Sequence, residues 1–224
     1  MKPYYQDDAV TIYHGDCREI VPTLGRFDLL LTDPPYGIER FNRPDGGNSK
    51  RIRSFGHSDT PWNNEPPGRD VLEMLMTCCR LHVIFGMNNL PLPTTEHFIV
   101  WDKGQAMPSF AECELAWSSL TTPAKIARVR FVSGKKHPAE KPLALMTWCI
   151  SLAGDVQTIL DPFAGSGTTG RAAKDMGCKA VLIEREERYC EIAARRMGQG
   201  VLDFGTANAP SSAASEAQSA GCTC

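Results

Sequence analysis

Short apolar runs alternate with amphipathic stretches along most of the chain, and this pattern predicts a succession of strands and helices. The apolar runs predict strands at residues 10–13, 27–31, 81–85, 98–101, 158–160 and 180–184. The stretches between them predict helices at about residues 18–24, 70–81, 143–153, 168–176 and 186–197. Several strands end at an acidic residue or a glycine turn, and strand ends are where open α/β sheets carry their chemistry.

Three stretches lack this periodicity. Residues 38–64 are rich in glycine and charge and predict a mobile loop, and residues 102–136 form a second irregular region. Residues 201–224 are dominated by Ala, Ser, Gly and Thr and predict a disordered tail. Residues 1–200 as a whole have the length of one substantial domain with a real core.

The formal net charge of the chain is only -2, so a nucleic-acid partner would need a local patch of positive charge. A candidate patch lies in residues 38–64, whose basic side chains stand against few acids: Arg40, Arg43, Lys50, Arg51 and Arg53. A charge run of this kind is commonly a solvated surface. The alternative is a loop that contacts a phosphate backbone.

The nine cysteines include no Cys-x-x-C pair and no nearby His at ligand spacing, so we expect reduced thiols and no metal site. No apolar run is long enough to span a bilayer, and residues 1–8 are too polar for a signal peptide. We therefore expect a cytoplasmic protein that does not act at a membrane.

The most informative stretch is Asp33-Pro34-Pro35-Tyr36, which follows the apolar run of residues 27–31. The two prolines fix the backbone and remove N–H donors, so the loop is stiff and rich in acceptors. It offers the Asp33 carboxylate, the Pro34 carbonyl and the Tyr36 ring. Two acceptors and an aromatic face suit an exocyclic amino group on a flat ring, such as a nucleobase drawn out of its helix. The plain alternative is a strand followed by a proline-rich turn.

A second motif, residues 158–170, predicts a short strand, a glycine turn and the start of a helix. Gly165, Gly167 and Gly170, with Glu184 nearly twenty residues after the first glycine, satisfy the dinucleotide fingerprint of dehydrogenases. A dehydrogenase would need a second mononucleotide-binding half, whereas one helix and a Ser/Ala-rich tail follow Glu184. Asp161 at the strand end would also repel a pyrophosphate, although it suits a positively charged cofactor.

Together these motifs resemble those of the β class of DNA amino-methyltransferases, in which the catalytic motif precedes the cofactor motif. The resemblance runs from about Val10 to Met197 and is carried by residues 15–17 (Gly-Asp-Cys), 33–36 (Asp-Pro-Pro-Tyr), 137–142 (His-Pro-Ala-Glu-Lys-Pro) and 161–169. Residues 101–103 and 114–117 resemble segments of small phage and prophage members. Without the resemblance, both segments would be interpreted as core tryptophans with solvated neighbours.

The resemblance implies a circularly permuted Rossmann-like α/β fold for S-adenosylmethionine, with a central, mostly parallel sheet and helices on both faces. Both motif loops should meet at the carboxyl edge of adjacent strands. The catalytic residues would be Asp33, Pro34, Pro35 and Tyr36. The cofactor-binding residues would be Asp16, Cys17, Asp33, His137, Lys141, Asp161, Phe163, Gly165, Ser166, Gly167, Thr168 and Glu184.

Two of these assignments have plain alternatives. Asp16 could be a turn residue or the N-cap of the following helix, rather than the acceptor of the cofactor's adenine amino group. His137 and Lys141 could be surface residues at the start of a helix, rather than residues that flank the cofactor's carboxylate.

The partner that the resemblance implies is double-stranded DNA, with residues 102–136 as a small target-recognition region and the five basic residues of the 38–64 loop as DNA contacts. So short a region suggests a short recognition sequence or the help of a second copy in a homodimer, and a restriction nuclease could be a further partner. The expected reaction is methyl transfer to N6 of adenine after base flipping, with N4 of cytosine left open because an aspartate opens the motif in both types. An RNA or protein-amide methyltransferase and a catalytically silent nucleic-acid-binding subunit are the alternatives from other classes.

Overall fold

The computed structural model describes residues 1–37, 66–104, 111–130 and 140–199. The strands are β1 (Tyr5–Gln6), β2 (Val10–His14), β3 (Phe27–Thr32), β4 (Cys79–Phe85), β5 (Phe98–Asp102), β6 (Cys113–Ser118), β7 (Lys125–Arg128), β8 (Thr158–Asp161) and β9 (Lys179–Glu184). The helices are α1 (Cys17–Ile20), α2 (Arg69–Thr77), α3 (Leu143–Ala153), α4 (Thr168–Asp175) and α5 (Glu187–Met197), and a 3-10 turn, Val21–Thr23, follows α1.

All the described strands belong to one sheet, in the order β1-β2-β9-β8-β3-β4-β6-β5-β7. The central strands β2, β9, β8, β3 and β4 run parallel to one another. Strand β1 is antiparallel to β2, β6 is antiparallel to both β4 and β5, and β7 is parallel to β5. The predicted mostly parallel sheet is confirmed, and the two motif strands β3 and β8 are neighbours in it.

Helices cover both faces of this sheet. Leu29 and Leu31 of β3 belong to a core that includes Leu145 of α3 and extends to residues of α4 and α5. Leu30, which points the other way because side chains alternate along a strand, belongs to a second core with Leu72 of α2 and residues of α1. The fold expected from the sequence, a Rossmann-like sheet between two helical layers, is therefore confirmed.

Two predicted helices are shorter in the structure than expected. The helix predicted at residues 18–24 becomes α1 and a 3-10 turn, because Pro22 lacks the N–H that would continue the α-helical ladder. The helix predicted at residues 70–81 ends at Thr77, and Cys79 begins β4 opposite Phe27 of β3. Pairing with the sheet thus overrides the helical periodicity of this segment.

The prediction of an irregular region at residues 102–136 was wrong, because this interval contains β6 and β7. Strand β6 lies between β4 and β5 and is antiparallel to both. Both of these partners come earlier in the chain. The predicted mobile loop at residues 38–64 and the predicted tail at residues 201–224 lie outside the described residues. Among the described residues, no helix is long and apolar enough to cross a membrane, and the seven described cysteines are free.

Asp28 holds the beginnings of the two motif strands, β3 and β8, together. Its Oδ2 atom accepts hydrogen bonds from the backbone N–H groups of Gln157 and Thr158 at 3.0 Å each, and from Thr158 Oγ1 at 2.9 Å. In return, the backbone N–H of Asp28 donates to Thr158 Oγ1 at 3.0 Å. These bonds align β3 with β8 at one end of the sheet and so help to set where both strands finish at the other end.

We expect Asp28→Ala to lower the free energy of unfolding by about 1–3 kcal/mol, because several donors lose a charged acceptor. Hydrogen bonds from Gln157 and Thr158 lower the pKa of Asp28, so its stabilisation is present above the carboxyl's ordinary pKa and is lost as the pH falls through the lowered value. Urea unfolding at pH 7 and in acid measures both effects. Asp155→Ala, at an exposed neighbouring carboxylate, is the control and should change stability by less than about 0.5 kcal/mol. An Asp28→Ala protein as stable as that control would contradict this role.

Candidate active site

Four carboxylates lie at the carboxyl ends of four neighbouring parallel strands. Glu184 is the last residue of β9 and Asp161 is the last residue of β8, while Asp33 directly follows β3. Asp16 comes two residues after β2. Because parallel strands finish at the same edge of a sheet, these carboxylates form an acidic rim on one side of the molecule.

Asp161 is buried and held by neutral donors. Thr32 Oγ1 donates to Asp161 Oδ1 at 2.7 Å, and Thr169 Oγ1 donates to Oδ2 at 2.5 Å. The backbone N–H of Phe163 also donates to Oδ1, at 3.2 Å. Burial raises the pKa of Asp161 to about 6, although these hydrogen bonds act to lower it. Because Thr32 belongs to β3, the Thr32–Asp161 bond joins the two motif strands at the rim.

The glycine turn after β8 wraps around Glu184. The backbone N–H of Gly165 donates to Glu184 Oε2 and that of Glu186 donates to Oε1, each at 2.8 Å. Gly167 has a positive φ of 78°, and a Cβ there would lie 2.7 Å from Cβ of Ala193 in α5, so only glycine fits this close approach. Burial raises the pKa of Glu184, against the lowering effect of its backbone donors.

The other side chains of the glycine turn are firmly held. Ser166 and Thr168 are buried, and Phe163 is half-buried against the core on the α2 side of the sheet. Arg196 of α5 donates at 2.6 Å to Thr168 Oγ1 and also to Glu140 Oε1. This arginine therefore connects the glycine turn with the segment that leads into α3.

Tyr36 folds back over the Asp33 loop. Its hydroxyl donates a short hydrogen bond to Asp33 Oδ1. Its ring packs directly on Gly86 after β4, where a Cβ would lie 2.1 Å from Tyr36 Cε1. Pro34, the residue after Asp33 in this loop, is buried. Burial and the Asp33 charge raise the pKa of Tyr36 well above its ordinary value, so the phenol stays protonated and can act as a donor.

Lys141 lies against Asp33, which the sequence did not predict. Its Nζ donates to Asp33 Oδ2 at 2.5 Å and lies 3.0 Å from Glu114 Oε2. Glu114 Oε1 in turn lies 2.7 Å from Nζ of Lys103. The plain alternative for residues 101–103 and 114–117, core tryptophans with solvated neighbours, does not hold for Lys103 and Glu114, because both side chains are largely buried in ion pairs.

Charge and burial oppose each other in this group. Burial raises the pKa of Asp33, and the Glu114 charge adds to that rise, while Lys141 acts to lower it. Burial alone would lower the pKa of Lys141, but Asp33 and Glu114 together raise it above its ordinary value. Burial would likewise raise the pKa of Glu114, but Lys141 and Lys103 lower it on balance.

Asp16 adopts the role of a helix N-cap, the plain alternative that the sequence allowed. Its Oδ1 accepts from the backbone N–H of Arg18 at 2.9 Å, and the Arg18 guanidinium binds Oδ2 at 2.6 Å. The cofactor contact predicted for Asp16 stays a prediction. Cys17, at the start of α1, is buried, and burial raises the pKa of its thiol to about 11.

The structure brings most of the predicted site residues to one edge of the sheet. His137 and the basic residues Arg40, Arg43, Lys50, Arg51 and Arg53 lie outside the described residues. No role was predicted for Thr32, Gly86 or Glu114 from the sequence. Thr32 could have been noticed as the residue between the apolar run and Asp33, and Glu114 as a charge beside the apolar residues 115–117.

The chemistry of the rim fits S-adenosylmethionine. This cofactor carries a positive sulfonium and a positive ammonium group, and the Asp161, Asp33 and Glu184 carboxylates cluster at adjacent strand ends. Gly165 and Gly167, both with positive φ, let the backbone of the turn approach a ligand closely. The residues present therefore suit a cationic nucleoside better than a pyrophosphate.

Comparison with known proteins agrees with this chemistry. The family model N6_N4_Mtase, described as DNA methylase, matches residues 100–195. The type II methyltransferase M.HinfI of Haemophilus influenzae is 24% identical over 253 residues, a match that covers 88% of this chain and 70% of that protein.

Two solved structures share the fold. The M1.HpyAVI–SAM complex superposes with a TM-score of 0.57 at 22% identity and covers 85% of this chain and 100% of that one. The cytosine-N4-specific PvuII DNA methyltransferase superposes with a TM-score of 0.61 at 16% identity and covers 88% of this chain and 89% of that one. The family match over residues 100–195, the sequence relative and the shared fold agree in one respect: the chain is similar to DNA amino-methyltransferases of the N6/N4 type.

Proposed function

We propose that this enzyme methylates N6 of adenine in double-stranded DNA, on a base rotated out of the duplex. The observation that carries the proposal is the 2.7 Å hydrogen bond from Thr32 Oγ1 to Asp161 Oδ1. It joins the strand that ends at the Asp33 loop to the strand that ends at the glycine turn. A transfer reaction needs its two reacting groups side by side, and this bond brings the two loops that would hold them together.

The glycine turn and the acidic rim would hold the cofactor. Asp161 is placed to attract its positive groups, Asp33 at the adjacent strand end would be a further contact, and Glu184 can accept from two ribose hydroxyls through its two oxygens. Phe163, Gly165, Ser166, Gly167 and Thr168 would form the wall of the site, with Asp16, Cys17, His137 and Lys141 as further contacts. When bound, S-adenosylmethionine supplies an electrophilic methyl group.

The Asp33 loop would hold the target base. Asp33 and the Pro34 carbonyl accept the two N–H groups of the exocyclic amine and keep them out of the ring plane, which frees the nitrogen lone pair for attack. Asp33 also stabilises the positive charge that develops on this nitrogen. Tyr36 stacks on the extruded base, an interaction worth about 1–3 kcal/mol. Solvent takes the proton that the amine loses, so no protein nucleophile is required.

The choice of adenine rests on the aspartate that opens the catalytic motif, which is commoner in adenine enzymes of the resembled class. Because the structural neighbours include a cytosine-N4-specific enzyme, N4 of cytosine is the alternative product. We extend the proposal to the basic residues of the 38–64 loop as DNA contacts, and to a restriction-modification role in which a second copy or a nuclease could take part.

The first test is transfer of labelled methyl from S-adenosylmethionine to unmodified duplex DNA, with the product digested to nucleosides. We expect N6-methyladenine, and we expect Asp33→Ala to lower the rate by at least about 100-fold, the size of removing one preorganised polar contact. Urea unfolding of Asp33→Ala shows whether the fold is retained. N4-methylcytosine would correct the base, while label in RNA or protein but not in DNA would refute the proposed substrate.

The contact between Tyr36 and Gly86 gives a second test. We expect Gly86→Ala to slow methyl transfer by about tenfold or more, because the new methyl group displaces the ring that stacks on the base. Gly177→Ala is the matched control, because Gly177 has a similar φ of +73°, against +81° at Gly86, but nothing lies within 4 Å of its added Cβ. Both variants should lose about 1–2 kcal/mol of stability from the left-handed backbone. Equal transfer rates for the two variants would exclude the Tyr36 ring from the reaction.

The raised pKa of Asp161, about 6, gives a third test. A cation beside Asp161 favours the carboxylate, so S-adenosylmethionine should bind with release of a proton and more weakly as the pH falls below about 6, by up to about tenfold per unit for one proton. Calorimetric titrations between pH 5 and 8 should show this slope, to which Asp33 and Glu184 also contribute. Asp161→Asn should flatten the slope, whereas Asp155→Asn should leave it unchanged. A slope unaffected by Asp161→Asn would place Asp161 away from the bound cation.

A further inference from the structure

A chain of alternating charges leads from the strands β5 and β6 to the Asp33 loop. The separations are 2.7 Å from Lys103 Nζ to Glu114 Oε1, 3.0 Å from Glu114 Oε2 to Lys141 Nζ, and 2.5 Å from Lys141 Nζ to Asp33 Oδ2. The Lys141 side chain is only 6% exposed and the Lys103 side chain 10%. Charges this deeply buried persist only with partners, so each of these groups depends on the next.

Each oxygen of Asp33 already accepts one hydrogen bond. Its Oδ1 accepts from the Tyr36 hydroxyl and its Oδ2 accepts from Lys141. The proposed reaction needs an Asp33 oxygen to accept from the target amine. It also needs Asp33 to face a nitrogen that becomes positive, and an ammonium group at 2.5 Å competes for the same oxygen and the same charge.

The second carboxylate, Glu114, has an oxygen that can accept a further hydrogen bond. Among the side-chain atoms that the structure describes, Glu114 Oε2 is the buried polar atom without a hydrogen-bond partner. Lys141 Nζ lies 3.0 Å away, at ion-pair distance but not aligned as a donor. The Lys141 charge already compensates this oxygen, and a small rotation of the ammonium would point one of its three N–H groups directly at Oε2.

We infer that Glu114 is a positioning residue that takes over the Lys141 ammonium when the target base enters, and so releases Asp33 Oδ2 for the amino group. This inference rests on the proposed role of Asp33. No covalent bond changes in the step. Lys141 keeps its three protons and exchanges one acceptor for another, while Lys103 stays on Glu114 Oε1 and keeps that carboxylate ionised and in place.

The test compares Glu114→Gln with Glu112→Gln, a matched change at an exposed position two residues earlier. Unmethylated plasmid DNA and labelled S-adenosylmethionine are the probes, and single-turnover rates separate methyl transfer from product release. We expect Glu114→Gln to slow the single turnover by about 10- to 100-fold, the range typical of losing an outer partner of a site ligand. The KM for DNA should stay within a few-fold of that of the wild type, and Glu112→Gln should behave as the wild type does.

The pH profile tests whether Asp33, in its ionised form and next to Glu114, sets the rate. The charged and titratable groups that face Asp33 are Lys141, Tyr36, Glu114 and, from the next strand, Asp161. In Glu114→Gln, Asp33 loses a neighbouring negative charge and keeps Lys141, so the acid limb of the single-turnover rate should move to lower pH. An acid limb that stays where it is in the wild type would mean that the ionisation of Asp33 beside Glu114 does not set the rate.

Lys103→Met with Glu114→Gln removes one buried charge of each sign and provides a second folded variant if Glu114→Gln alone is unstable. It should be as slow as Glu114→Gln, since Lys141 again lacks its second carboxylate. A rate within threefold of wild type in either folded variant, or an unmoved acid limb, would overturn the inference. The proposed function fails separately, if the wild type itself transfers no methyl group to DNA.

Discussion

The physical constraint on which this structure depends is the gathering of carboxylates at one edge of a parallel sheet. Parallel pairing of β2, β9, β8 and β3 makes their last residues neighbours, and each of these strands ends in or just before an acidic residue. Like charges so close raise one another's pKa and destabilise the fold. The rim can therefore exist only because each carboxylate has its own set of donors.

Those donors are of two kinds, and the difference matters for chemistry. Asp161 and Glu184 are held by hydroxyl and backbone N–H groups, which carry no net charge and leave the negative potential of the rim in place. Asp33 is instead paired with the Lys141 ammonium. The part of the rim formed by Asp161 and Glu184 thus remains attractive to a cation, whereas the charge of Asp33 is balanced by Lys141.

A feature of the fold or of the site could be predicted from the sequence where the residues that determine it lie close together in the chain. The Asp33 loop and the glycine turn are continuous stretches whose prolines, glycines and acids carry their own geometry, and their meeting at adjacent strand ends followed from the resemblance. Strand β6 was missed because its partners, β4 and β5, lie elsewhere in the chain and Glu114 interrupts its apolar pattern. The contact of Lys141 with Asp33 spans 108 residues, and no local pattern encodes it.

The proposed ligands give a reason why charged side chains are buried here, where apolar side chains often stabilise a protein more. A pKa of about 6 for Asp161 means that at neutral pH its carboxylate is ionised at a cost of roughly 3 kcal/mol relative to an ordinary carboxyl. Replacing a buried ion-pair group by hydrophobic residues often raises stability, so the chain from Lys103 to Asp33 is weak support for the fold as such. A cation bound at the rim would favour the ionised Asp161, and a movable Lys141 would use Glu114 as its second acceptor. The proposed cofactor and target base would therefore account for both costs.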